Sequence, residues 1–175
     1  MTIRSYKGKS PNIDARAYVD ESAAVIGHVE LGEDVSIWPM CSIRGDVNEI
    51  SIGARSNIQD GSVIHVTHRF SELPDGHATR IGSDVTVCHK VMLHGCTIED
   101  LCLIGMDSIV LDGAIIRSRV LLGAGSLVPE GKELEGGYLW LGRPAKKMRE
   151  LTEQELKWFE YSARNYVKLK NDYMG

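Results

Sequence analysis

The sequence predicts a solenoid of short β-strands closed by one C-terminal helix. Two observations point to the solenoid. Ile13, Val19, Val25, Leu31, Ile37 and Ile43 are aliphatic at a strict interval of six, and Ile98, Ile104, Val110, Ile116, Leu122 and Val128 repeat the interval without a slip. A third observation points to the helix: from Thr152 onward the apolar residues recur at helical spacing instead.

The elements follow in chain order. After Ile43 the phase slips, and Ile52, Ile58 and Ile64 resume it; Ile81, Val87 and Leu93 continue the rhythm, and the second unbroken run begins one residue early at Ile98. A period of six fits neither an amphipathic helix nor an alternating strand. It fits a unit of one short strand plus a corner, with one aliphatic side chain turned inward. A β-sandwich is the weaker reading, because its turn signals come about every 8 to 12 residues. Gly27, Gly32, Gly53, Gly82, Gly105 and Gly123 each follow an apolar residue and are expected to ease the bends. Between Ile64 and Ile81, residues 66–80 read as an excursion, poor in aliphatic residues and carrying a Pro74-Asp75-Gly76 turn. Residues 11–130 then form the array, 131–150 a connection and 152–172 a helix, all in a single domain of residues 1–175. Thr152 and Glu155 read as a capping box, and Leu156, Phe159, Ala163 and Val167 as the apolar face laid along the solenoid.

Composition narrows the function. The formal charge of −4, without a basic run, offers no footprint for nucleic acid or an anionic membrane. No apolar stretch approaches the roughly 20 residues that span a bilayer, and no signal-peptide core is present, so a cytoplasmic location is expected. The four cysteines have no CxxC spacing and read as small buried or half-buried residues.

The repeat resembles the hexapeptide-repeat proteins, and that resemblance implies a left-handed parallel β-helix of triangular section with three hexads per coil. Eighteen hexads then make about six coils, or roughly 29 Å of stacked rungs. Counting from Ile13, the hexads at Ile43, Ile64 and Leu93 lie on one face in successive coils. Arg44, His65 and His94 should therefore stack in a column. Asp60 and His89 form a second column on a different face, with Gln59 beside Asp60. His65 and His94 can lean toward one metal ion, since zinc takes imidazole nitrogens at about 2.0 to 2.1 Å. His89 would complete the site of a neighbouring molecule, and three such prisms would make a homotrimer with three metal sites. His68 and His77 read as loop residues, and His28 as lying far up the coils.

These positions sharpen the resemblance to the γ-class carbonic anhydrases. It rests on Arg44-Gly45-Asp46, on Asn57-Ile58-Gln59-Asp60-Gly61, on His65, and on His89 and His94 in HKVMLHG, with Gly142-Arg143-Pro144-Ala145 where the coils end. The resemblance implies a metal held by His65, His89 and His94 between subunits, zinc first and Fe2+ or Co2+ as alternatives. It also implies that Arg44, Asp46 and Asp60 orient the interface, that Tyr161 and Asn165 approach the site, and that carbon dioxide is hydrated to bicarbonate. Gln59 is expected to orient the nucleophile or substrate, and Arg44 to meet Asp60 of the neighbour. Two positions depart from the archetype: Val47 and His68 stand where that enzyme has glutamates. The other readings are a metal-cemented assembly protein and a hexapeptide acyltransferase.

Overall fold

The computed structural model describes residues 2–175, and it shows why a period of six folds as it does. Each hexad contributes two inward positions. The first is the aliphatic residue of the repeat: Ile37, Ile43, Ile58, Ile64, Val87, Leu93, Ile104 and Val110 are all fully buried. The second lies two residues before it and is small, as in Ala23, Val35, Cys41, Ser56, Ser62, Val85, Cys96, Cys102, Ala114 and Ser126. Three of the four cysteines therefore fill the corners of the prism. All four thiols are free, and burial raises Cys41 and Cys88 to about 11 and Cys96 and Cys102 to about 12.

The three faces stack as parallel rungs. One is an 8-stranded sheet running from Tyr18–Val19 through Ser36–Ile37, Asn57–Ile58, Thr86–Val87, Leu103–Ile104 and Leu121–Leu122 to Tyr138–Leu141, with Lys146–Glu150 added antiparallel at its end. The other two faces join as a 12-stranded sheet, because Ala24–Leu31 and Ser42–Ile52 run without a break around a corner. Rungs also form at Thr2–Arg4 above the first hexad and at Glu133–Leu134 below the last. The array thus extends beyond residues 11–130, and the segment expected as a connection supplies one further coil and a hairpin.

Gly27 bends the chain at φ 79° as expected, but the other corners turn on a different residue. Gly32, Gly53, Gly82, Gly105 and Gly123 have ordinary φ; the left-handed conformation falls three residues after the inward aliphatic, at Asp34, Met40, Arg55, Asp84, Lys90, Leu101, Asp107 and Arg119. What excludes a side chain at Gly53 is the next coil, since a Cβ there would lie 2.6 Å from the backbone of Gly82.

The C-terminal helix spans Glu153–Met174 and starts on the expected capping box, with Thr152 and Glu155 each accepting from the other's backbone N–H. It lies against the face that carries Ser36–Ile37 and Thr86–Val87. Phe159 and Ala163 are buried as predicted, while Leu156 and Val167 are half-buried. Lys170 is buried too, at 1% exposure, and its ammonium reaches Asp34 at 3.0 Å. Trp38 packs edge-on against Tyr166 and Tyr173 beneath the same helix. No helix among the described residues is long and apolar enough to cross a membrane.

Candidate metal centre

The two predicted columns form. His94 is the register partner of His65, Ile43 pairs with Ile64, and Arg44 therefore stands one rung above His65. On the next face Ile58 pairs with Val87, which puts Asp60 and His89 side by side. Within one chain the His65/His94 pair and His89 stay apart. Among the described residues no three His, Cys, Asp or Glu side chains of this chain converge on a metal-sized point.

Each of the three histidines has its own aspartate. His65 Nε2 lies 2.9 Å from Asp46 Oδ1, His94 Nδ1 lies 2.6 Å from Asp112 Oδ1, and His89 Nδ1 lies 3.1 Å from Asp60 Oδ2. Among the described residues His28, His68 and His77 have no such carboxylate. A carboxylate on one ring nitrogen fixes the tautomer and turns the other nitrogen's lone pair outward, which is the usual arrangement around a ligating histidine.

Proton counting sharpens this. Asp46, His65, His94 and Asp112 form a chain of three contacts, closed in the middle by His65 Nδ1 and His94 Nε2 at 3.1 Å. Two neutral imidazoles bring two N–H groups, one short of what three hydrogen bonds need. With both N–H groups on the aspartates, two lone pairs face each other, and either a third proton or a metal ion between them relieves that contact. Two nitrogens on one tetrahedral zinc stand about 3.3 Å apart for bonds of about 2.0 to 2.1 Å. The residues present therefore fit the metal that the fold family implies.

The electrostatics agree. Burial holds the His65 imidazole below the usual histidine value, against the pull of Asp46 and with the help of the Arg44 cation. Burial would raise Asp46, but hydrogen bonds from His65 and Arg44 outweigh it and hold the carboxyl below its ordinary range. Near neutrality His65 thus presents a neutral imidazole and Asp46 an ionised carboxylate. Arg44 is taken up by its own Asp46, and Asp60 by its own His89.

The other predicted residues sit elsewhere in the chain. Gln59 is buried, and its amide donates to Asn57 Oδ1 at 3.0 Å, beginning a path through Thr86 to Ser162 on the helix. Tyr161 and Asn165 are exposed on the helix, Tyr161 stacked on Trp158 with ring centroids 5.0 Å apart. The helix covers the face of the His89 column, so neither residue meets His65 or His94 of its own chain. His68 packs against Phe70 in the excursion, whose strands bridge at Thr67 and His77. His28 corrects its expected place: its backbone touches Gly45, one coil from Asp46.

Asp112 and Thr67 were missed. Asp112 follows Val110 by two, directly below Gly95, where a Cβ would lie 2.2 Å from the Asp112 carboxylate. Gly95 leaves the space through which Asp112 reaches His94, and Thr67 Oγ1 steadies the other carboxylate oxygen at 2.6 Å. The column arithmetic contained this signal, since the hexad at Val110 continues the face of Ile43, Ile64 and Leu93.

The coil stacking and the helix define a left-handed β-helix of the hexapeptide-repeat class. A solved structure of a hexapeptide transferase family protein from Anaplasma phagocytophilum superposes with a TM-score of 0.91 at 40% identity, covering 98% of both chains. The protein YrdA of Escherichia coli is 56% identical over 98% of this chain and 94% of its own length. A carbonic anhydrase of Geobacillus kaustophilus is 44% identical over 94% of this chain and 87% of its own. No family model matches. This chain belongs to the γ-carbonic anhydrase-like family of hexapeptide-repeat proteins.

Proposed function

We propose that the chain is a metal-dependent carbonic anhydrase-like protein, assembled as a trimer whose sites take His65 and His94 from one subunit and His89 from the next. The observation that carries this is the aspartate beside each of those histidines and, among the described residues, beside none of the other three. Zinc held by three imidazoles makes a water acidic enough to ionise near pH 7 and so supplies a nucleophile for carbon dioxide. Asp46 and Asp112 hold the distal ring N–H groups of His65 and His94 and aim their lone pairs, and Asp60 lies beside the His89 ring. Arg44 keeps Asp46 ionised and in place.

The outer surface supports the assembly. Beside the column of Arg44, His65 and His94 runs a second outward column of Val63, Met92, Ile109 and Leu127, with Met92 42% exposed. An apolar stripe flanking the histidines favours contact between subunits there and would keep bulk water from the site. Met92→Glu is expected to convert trimers to monomers in light scattering while leaving the circular-dichroism spectrum unchanged. A Met92→Glu protein that stays trimeric would show that the stripe lies outside the interface.

The test of activity is carbon dioxide hydration by metal-loaded protein. Val47 supplies no carboxylate to take the proton away, so turnover should be low in weak buffer and rise with imidazole. Val47→Glu should raise it without added imidazole. Metal-loaded protein that never hydrates carbon dioxide, in any buffer or with Val47→Glu, would favour the metal-cemented assembly reading; acyl transfer without metal would favour the transferase.

A further inference from the structure

Three of the places where the hexad rhythm is broken meet at one cleft. At the N-terminus, Tyr6 and Lys9 close a two-residue hairpin through hydrogen bonds of 2.9 and 3.0 Å, with Lys7 and Gly8 at φ 45° and 78°. Positive φ at both central residues is the tight turn that strands prefer, so the lysines sit on a built hook. The second break is the bulge where the strand passes from Gly45 to Ile50 while its neighbour moves only from Gly27 to Val29. The third is the excursion at residues 67–77, which Asn48 of the bulge ties down through Thr67 O at 3.0 Å and Asp75 O at 2.9 Å. Together they enclose about 380 Å³ bounded by Lys7, Lys9, His28, Asp46, Glu49 and Arg69, among others.

The charges there are unequal. Both lining carboxylates are answered from elsewhere, Asp46 by Arg44 and His65, Glu49 by Arg80. Among the described residues Lys7, Lys9 and Arg69 have no carboxylate partner, and the Lys7 ammonium rests over the Tyr6 ring at 5.4 Å. The protein as a whole is acidic, at −4, yet this concavity gathers three unanswered cations on two tethered loops. Concave sites lined by one sign of charge concentrate ions of the other.

We propose that this cleft binds a small oxyanion, of the size and charge of bicarbonate, a short carboxylate or phosphate, with Lys7, Lys9 and Arg69 as its cationic ligands. A flexible ammonium suits a point contact with an anion, and the Arg69 guanidinium can grip two oxygens of a carboxylate or phosphate at once. The site borders the histidine centre through Asp46, but its three cations do not depend on a metal there.

The experiment follows backbone-amide NMR shifts of the full-length protein, before and after chelation, during additions of sodium bicarbonate, acetate or phosphate against chloride at constant ionic strength. Saturable shifts at Lys7, Gly8, Lys9, Arg69 and the 45–49 bulge are expected with at least one oxyanion and not with chloride. Comparing the three anions shows which chemistry the cleft prefers. Lys9→Gln and Arg69→Gln should each weaken binding about five- to tenfold. They should leave metal content unchanged. Shifts that persist after chelation support the cleft even if the metal reading fails. Shifts that vanish on chelation, an absence of saturation with every oxyanion, or wild-type affinity in both variants would overturn it.

Discussion

His94→Ala should lose its metal. A three-imidazole zinc site worth about 12 kcal/mol gives up about a third of that with one ligand, or about a thousandfold in affinity. Elemental analysis after gel filtration should find wild-type protein with about one zinc per subunit and His94→Ala with almost none. His77→Ala is the matching control: His77 belongs to the neighbouring excursion and lacks a carboxylate partner among the described residues. Equal metal in wild type and His94→Ala would place the ion elsewhere.

Asp112→Ala should weaken the metal next most. It leaves all three ligands in place but frees the His94 ring from its contact at 2.6 Å. Removing such a partner costs about 10- to 100-fold in affinity. Gly95→Ala should reproduce the effect from the other side, because the added methyl takes the space of the Asp112 carboxylate. Competition with a chromophoric chelator measures both. If both variants bind as tightly as wild type, Asp112 is only a bystander to His94.

These two residues also show how much the sequence carried. The six-residue interval and its slips place every inward aliphatic on its face, so the pairing of Arg44, His65 and His94 and of Asp60 with His89 follows by counting. Asp112 obeys the same count but stands two positions beyond its aliphatic, and Gly95 has to be empty before it can reach upward; the significance of that vacancy shows only in three dimensions. The turn at the fourth position was hidden for a related reason. Asp34, Arg55 and Arg119 adopt left-handed φ while resembling ordinary polar residues, whereas the glycines that looked like bends are there because the next coil presses on them.

Contacts between distant segments were the least legible. Asn48 draws the excursion against the bulge through two backbone carbonyls, and no periodicity encodes such a tie. Lys170 on an amphipathic helix reads as a solvent-facing residue until Asp34 of an early coil is found beneath it. Tyr161 and Asn165 fall on the helix as expected, but reach the centre only if a neighbouring subunit brings it to them.

The claim that one site is shared between two subunits is tested most directly by mixing variants. His89→Ala protein and His65→Ala/His94→Ala protein should each bind almost no zinc alone. Unfolded together and refolded, they should form hybrid trimers in which each mixed junction of the right polarity regains an intact site, with bound zinc rising toward one per hybrid trimer. Full zinc in His89→Ala protein alone, or hybrid trimers that bind no more metal than the separate variants, would contradict the shared site.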